Sequence, residues 1–222
     1  MSKPIHTEVY LGDLLLLEPV TVITDWMITV ACFYFATRIT RTVKNTPFIL
    51  FFVLQGVSTL FGGIAHGFLY EFGLAMHQVA WIFAGLSILA LQWSLNAQMP
   101  TVSSRIALNS IALLQFSVFA VFALQPDANF MPVAINSAVG LLCMVLPVGL
   151  FLKVRLHYVW TTYFFRGIGV LALAGLINAV GFHPFKWFNG NDLAHVIIIV
   201  AIYFFYRGVD KFSQIQATET EL

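Results

Sequence analysis

Six side chains stand out in a chain that is otherwise strongly apolar: His66, His77, His183, His195, Asp25 and Asp192. Neutral imidazole is the commonest protein ligand for zinc, and a hydrolytic zinc centre takes three protein ligands and leaves its fourth position to a water that ionises near neutral pH. His66, His195 and one of His183 or His77 would supply three nitrogens. Asp25 or Asp192 would then orient a ligand or act as general base. The same imidazoles titrate near about pH 6.5, so the set serves equally well as a proton-responsive ligand site. There is no His-Glu-x-x-His or Cys-x-x-Cys signature, so any such centre has to be assembled from different parts of the chain.

The spacing of these residues is helical. Glu18, Thr21 and Asp25 fall at i, i+3 and i+7, a polar stripe on one helix face. Ser58, Gly62 and His66 are four apart, and Gly62 and Gly63 admit a close neighbouring backbone. His77 precedes Trp81 by one turn. Asp192 and His195 are at i and i+3, so they point the same way, and a carboxylate there suits a helix N-terminus. Asn191 or Asp192 is the expected cap. His183 closes the preceding apolar run just before Pro184, with Asn178 upstream of it.

The elements that carry these residues follow from composition. The chain of 222 residues is 59% hydrophobic and 9% charged, far from the balance of a water-soluble domain. Lipid must cover what so few charges cannot. Seven apolar runs, at roughly 19–37, 47–70, 74–96, 103–124, 131–152, 160–182 and 192–208, are long enough to cross about 30 Å of hydrocarbon as helices. They are continuous and do not alternate, which excludes a β-barrel reading. The expected fold is therefore all-α, a seven-helix membrane bundle over 19–208. Residues 1–18 form an N-terminal segment with a short interfacial helix at 11–19, and 209–222 form a disordered tail. The polar N-terminus lacks the apolar core of a cleavable signal, so the first span directs its own insertion. Cys32 and Cys143 lie in apolar runs and read as buried small hydrophobes. No basic cluster points to nucleic acid.

Charge sets the expected orientation. Arg38, Arg41, Lys44, Arg105, Lys153, Arg155, Arg166, Arg207 and Lys211 fall at one end of seven antiparallel spans. The positive-inside rule makes that end cytoplasmic, with the N-terminus outside and the C-terminus inside. Glu8, Asp13, Glu18, Asp25, Glu71, Asp127 and Asp192, with His66, His77, His183 and His195, gather at the other end. Glu71, in a tight turn, reads as a solvated carboxylate.

The helix-two element "STLFGGIAH" and the helix-seven element "NDLAH", on seven spans, resemble the superfamily of membrane hydrolases that includes alkaline ceramidases and adiponectin-receptor-like proteins. The resemblance implies a zinc that activates water against a lipid amide or ester, with Ser58, His66 and His195 at the centre. The chain departs from that pattern at two positions. Asn191 stands where the family's helix-seven pair has its first histidine, and Gly62 stands where the helix-two serine belongs.

Two expectations follow. One is a zinc-dependent intramembrane hydrolase acting on a lipid in the extracytoplasmic half. The other is a seven-helix receptor, sensor or small-molecule-binding protein without catalysis. Haem between His66 and His195 is the weaker cofactor expectation, because no helix pairs histidines at both faces. The lack of an interior lysine in the last run argues against retinal, which needs one for a Schiff base.

Overall fold

The computed structural model describes residues 7–41, 46–182 and 184–220. Seven helices in it are long and apolar enough to cross a membrane. They are α1 (Pro19–Thr40), α2 (Thr46–Gly67), α4 (Ala75–Asn96), α5 (Val102–Ala123), a composite fifth span, α8 (Thr161–Ala179) and α9 (Gly190–Thr220). A single short turn of helix, α3 (Leu69–Phe72), joins α2 to α4. The composite span begins as α6 (Met131–Ala138), widens to a π-helical stretch over Val139–Val145 and resumes as α7 (Leu146–Arg155). The π stretch ends just before Pro147, whose ring and missing N–H are incompatible with an undisturbed α ladder.

The expected spans are present to within a few residues at most ends. Three local expectations are corrected. Residues 11–19 are not an interfacial helix. Strand β1 (Glu8–Leu11) pairs antiparallel with β2 (Leu14–Leu17), closed by Gly12–Asp13 with Gly12 at φ +66°, the two-residue hairpin connection that glycine makes accessible. The tail expected to be disordered from 209 instead continues α9 as helix through Thr220, because nothing in "DKFSQIQATET" breaks the ladder and Phe212 and Ser213 are buried against the bundle. Cys143 is exposed on the outer side of the π stretch, while Cys32 is buried; both are free.

Around the bundle, α1 packs on α2 and α9, α2 on α4, α4 on α5 and the composite span, and α8 on α7 and α9. The two ends differ in chemistry. Toward the C-terminus of α1 and the N-terminus of α2 the interior is aromatic: Phe48, Phe52, Trp160, Phe164 and Phe205 are almost wholly buried. Their rings meet edge-on or tilted, as Phe48–Trp160 and Phe164–Phe205 do, the arrangement that ring quadrupoles favour. Toward the N-termini of α1, α4 and α9 the interior is polar, with Thr21, Thr24, Asp25 and Asp192 buried.

Candidate functional site

The polar end is assembled by α1, the C-terminus of α2, and the N-termini of α4 and α9. Its entrance is fixed by Glu18. This residue joins β2 to α1 with φ +44° and ψ +51°, a left-handed conformation that costs a non-glycine residue of order 1–3 kcal/mol. Its N–H donates to the Thr7 carbonyl at 2.8 Å, and Pro19 starts α1 with the φ a first helical turn needs. The bend places the Glu18 carboxylate 2.8 Å from Nδ1 of His66. His66 in turn meets His77 edge-on at 5.1 Å between ring centroids, and His77 lies 5.8 Å from the ring of Trp81.

One turn deeper, α9 crosses α1. Asn189 caps α9: its Oδ1 accepts from the N–H groups of Asn191 and Asp192 at 2.8 and 3.2 Å. Asp192 reaches back and accepts from Asn189 N–H at 2.7 Å, a reciprocal capping box. The expected cap at Asn191 or Asp192 is thus corrected to Asn189, with Asp192 as its partner. Asn191 Oδ1 instead accepts from Asn178 of α8 at 3.2 Å. The other Asp192 oxygen accepts from the Thr21 hydroxyl at 2.6 Å. Both oxygens of this fully buried carboxylate therefore fasten α9 to its own start and to α1.

That fastening sets the next turn. His195 Nδ1 lies 3.0 Å from Thr24 Oγ1, and its Nε2 lies 3.6 Å from Asp25 Oδ1. Thr24 also donates to the Thr21 carbonyl at 3.0 Å. A hydroxyl has one proton. With that proton on the carbonyl, Thr24 accepts from Nδ1–H, and neutral His195 turns its Nε2 lone pair toward Asp25. Two acceptors then face one another across 3.6 Å unless one of them carries a proton. Asp25 is 4% exposed and is flanked by Gly62, where a Cβ would come within 3.2 Å of its Oδ2. Gly62, read from sequence as a close-approach position, thus gives the carboxylate its room.

Several expected site residues are drawn together: Asp25 with His195, His66 with His77, and Asp192 one turn before His195. Ser58 is elsewhere; its hydroxyl donates to the Ala80 carbonyl at 2.8 Å and ties α2 to α4. Glu71 is exposed in α3. His183 lies outside the described residues. Among the described residues, no group of three His, Cys, Asp or Glu is placed to hold a metal ion. Glu18 engages Nδ1 of His66, and Thr24 and Asp25 face the two ring nitrogens of His195.

Residues 20–214 match a family of unknown function, DUF6962. The chain belongs to that family. The DUF6962 match takes in Thr21, Thr24, Asp25, His66, His77, Asp192 and His195, and leaves Glu18 and the hairpin outside it. No curated protein and no solved structure matches the chain. Two members of this DUF6962 site escaped the sequence reading as partners. Glu18 stood on the predicted stripe, but its bond to His66 depends on a left-handed backbone that no pattern announces. Thr24, next to Asp25, carried a usable signal, since it lies one turn from Thr21.

Proposed function

We propose that this protein is a non-catalytic, proton-responsive membrane sensor, and that the Asp25–His195 pair is the group that takes up and releases the proton. One observation carries the reading: the Thr24–His195–Asp25 chain, in which the hydroxyl fixes the imidazole tautomer and leaves a single proton position between a buried carboxylate and a ring nitrogen. Ionisable groups inside a membrane are costly, and they persist where they carry out a task. Moving that proton changes the charge between α1 and α9, two helices held together by the Thr21–Asp192 bond a turn away. The Glu18–His66 pair sits at the junction of the hairpin and α1, on the side from which a proton would reach Asp25. On this reading the acidic end faces the extracytoplasmic side, because the basic end obeys the positive-inside rule.

Infrared difference spectra of the full-length protein in lipid, recorded between acid and neutral pH, test the reading. The wild type should show a protonated-carboxyl C=O band that appears and disappears with pH. Asp25→Asn should remove that band, and His195→Ala should move its midpoint. A pH-independent spectrum would overturn the reading. So would zinc at one ion per chain that is lost in His195→Ala, which would restore the lipid-hydrolase expectation.

A further inference from the structure

At the opposite, basic end, α8 and α9 enclose an open crevice of about 260 Å³ lined by Val159, Thr162, Tyr163, Arg166 and Lys211. Its walls are fixed by close helix packing. A Cβ at Gly167 would fall 2.8 Å from the Phe205 ring, and one at Gly208 would fall 2.4 Å from the Phe164 ring, so only glycines allow α8 and α9 this near one another. Above the crevice, the guanidinium groups of Arg166 and Arg207 lie 5.4 and 5.8 Å from the Tyr163 ring. Arg207 donates to the Tyr203 hydroxyl at 2.9 Å, and Lys211 donates to Gln214 Oε1 at 3.3 Å. Among the described residues, no carboxylate forms a salt bridge with Arg166, Arg207 or Lys211. Asp210, the nearby acid on α9, accepts from Gln214. Three cations thus gather at one rim, Arg166 and Lys211 in the lining and Arg207 beside Tyr163, with Asp210 as the acid near Arg207.

An apolar track on α9 ends at Arg207, beside the Tyr163 ring of the crevice. Val196, Val200, Tyr203 and Arg207 follow i, i+4, i+7 and i+11 along α9, one face of the helix. The three apolar members are 37%, 46% and 41% exposed. From Val196 to Arg207 that face runs about 16 Å along the helix axis. A small soluble anion would use the cations and leave the track empty. A phospholipid uses both, with the phosphate among the cations and an acyl chain along the valines.

We propose that the α8–α9 crevice is a binding site for an anionic phospholipid of the leaflet at the basic end. Arg166, Arg207 and Lys211 hold the headgroup, and the Tyr163 ring, near both guanidiniums, helps to position them. This inference is independent of the proton site. Native mass spectrometry of the full-length protein in detergent, titrated with phosphatidylglycerol and with phosphatidylcholine of the same chains, tests it. Phosphatidylglycerol should bind at least about tenfold more tightly. Each cation removed should weaken it about fivefold, so Arg166→Gln with Lys211→Gln should cost about 25-fold. The charge-keeping pair Arg166→Lys with Lys211→Arg should stay near the wild type, which separates lost charge from lost folding. Equal binding of the two lipids, an unchanged Gln double variant, or displacement of the lipid by inorganic phosphate alone would overturn the proposal.

Discussion

Asp192, read from the sequence as a ligand-orienting group, general base or helix cap, fastens α9 to its own start and to α1. The i, i+3 spacing from His195 was visible in the sequence, and so was the pull of a helix N-terminus on a carboxylate. What the sequence could not show was that Thr21, 171 positions earlier, would place its hydroxyl 2.6 Å from one of the carboxylate oxygens. Asp192 has no solvent exposure, so that donor is one of the few groups offsetting its desolvation. Thr21→Val, which keeps the shape and deletes the proton, should destabilise the protein by about 1.5–3 kcal/mol, the range for hydrogen bonds to charged groups. Thr21→Ser should recover most of the loss. Thermal unfolding in a fixed detergent measures both, and a Val variant within about 0.5 kcal/mol of wild type, the usual spread for surface substitutions, would show that the bond carries no net weight.

Helices were read well where apolar length alone decides, and badly where local chemistry does. "LLLL" at 14–17 is continuous and offers no alternation, so it read as helix, although "GD" before it is a hairpin signal and the structure uses it as one. The sequence reading also passed over the uncharged amides of α4, α5 and α6. Gln92 of α4 donates to Gln115 of α5 at 2.9 Å, and Gln115 donates to the carbonyl and side-chain oxygens of Asn136 in α6 at 3.0 and 2.9 Å. Asn96 and Asn109 join α4 to α5 at 3.0 Å. This ladder matters because α5 is otherwise little buried, with 17% of its apolar window inside the bundle. Apolar packing of α5 is confined to one stripe, where Ala112, Phe119 and Ala123 meet α4 and the composite span, and the amides add directional bonds to it. Interhelical hydrogen bonds in membranes average about 0.6 kcal/mol each, so Gln115→Leu, which removes three of them, should cost about 2 kcal/mol. The Gln92→Leu change should add almost nothing on top of it. Unfolding of the two single variants and the double variant measures that coupling; fully additive losses would mean that the amides act apart.

The bundle as a whole is polarised. Buried carboxylates and imidazoles gather at one end, and buried aromatic rings with surface cations gather at the other. Charge counting along the sequence captured this division because alternating spans send every second connection to the same side. It did not reveal that the acidic groups interlock across α1, α2 and α9, since pairing depends on helix rotation and crossing, and residue type does not encode these one residue at a time. The polarity gives a direct expectation for orientation. The exposed residue Glu71 in α3 lies at the acidic end, and Val102, 67% exposed at the start of α5, lies at the basic end. In a background with Cys32 and Cys143 replaced by alanine, Glu71→Cys in intact cells should react with a membrane-impermeant maleimide. Val102→Cys should react only after the membrane is opened if the positive-inside rule holds for the end that carries the excess of Lys and Arg. The reverse labelling pattern would put the Asp25–His195 pair toward the cytoplasm, and the medium whose protons it reads would then be the cell interior.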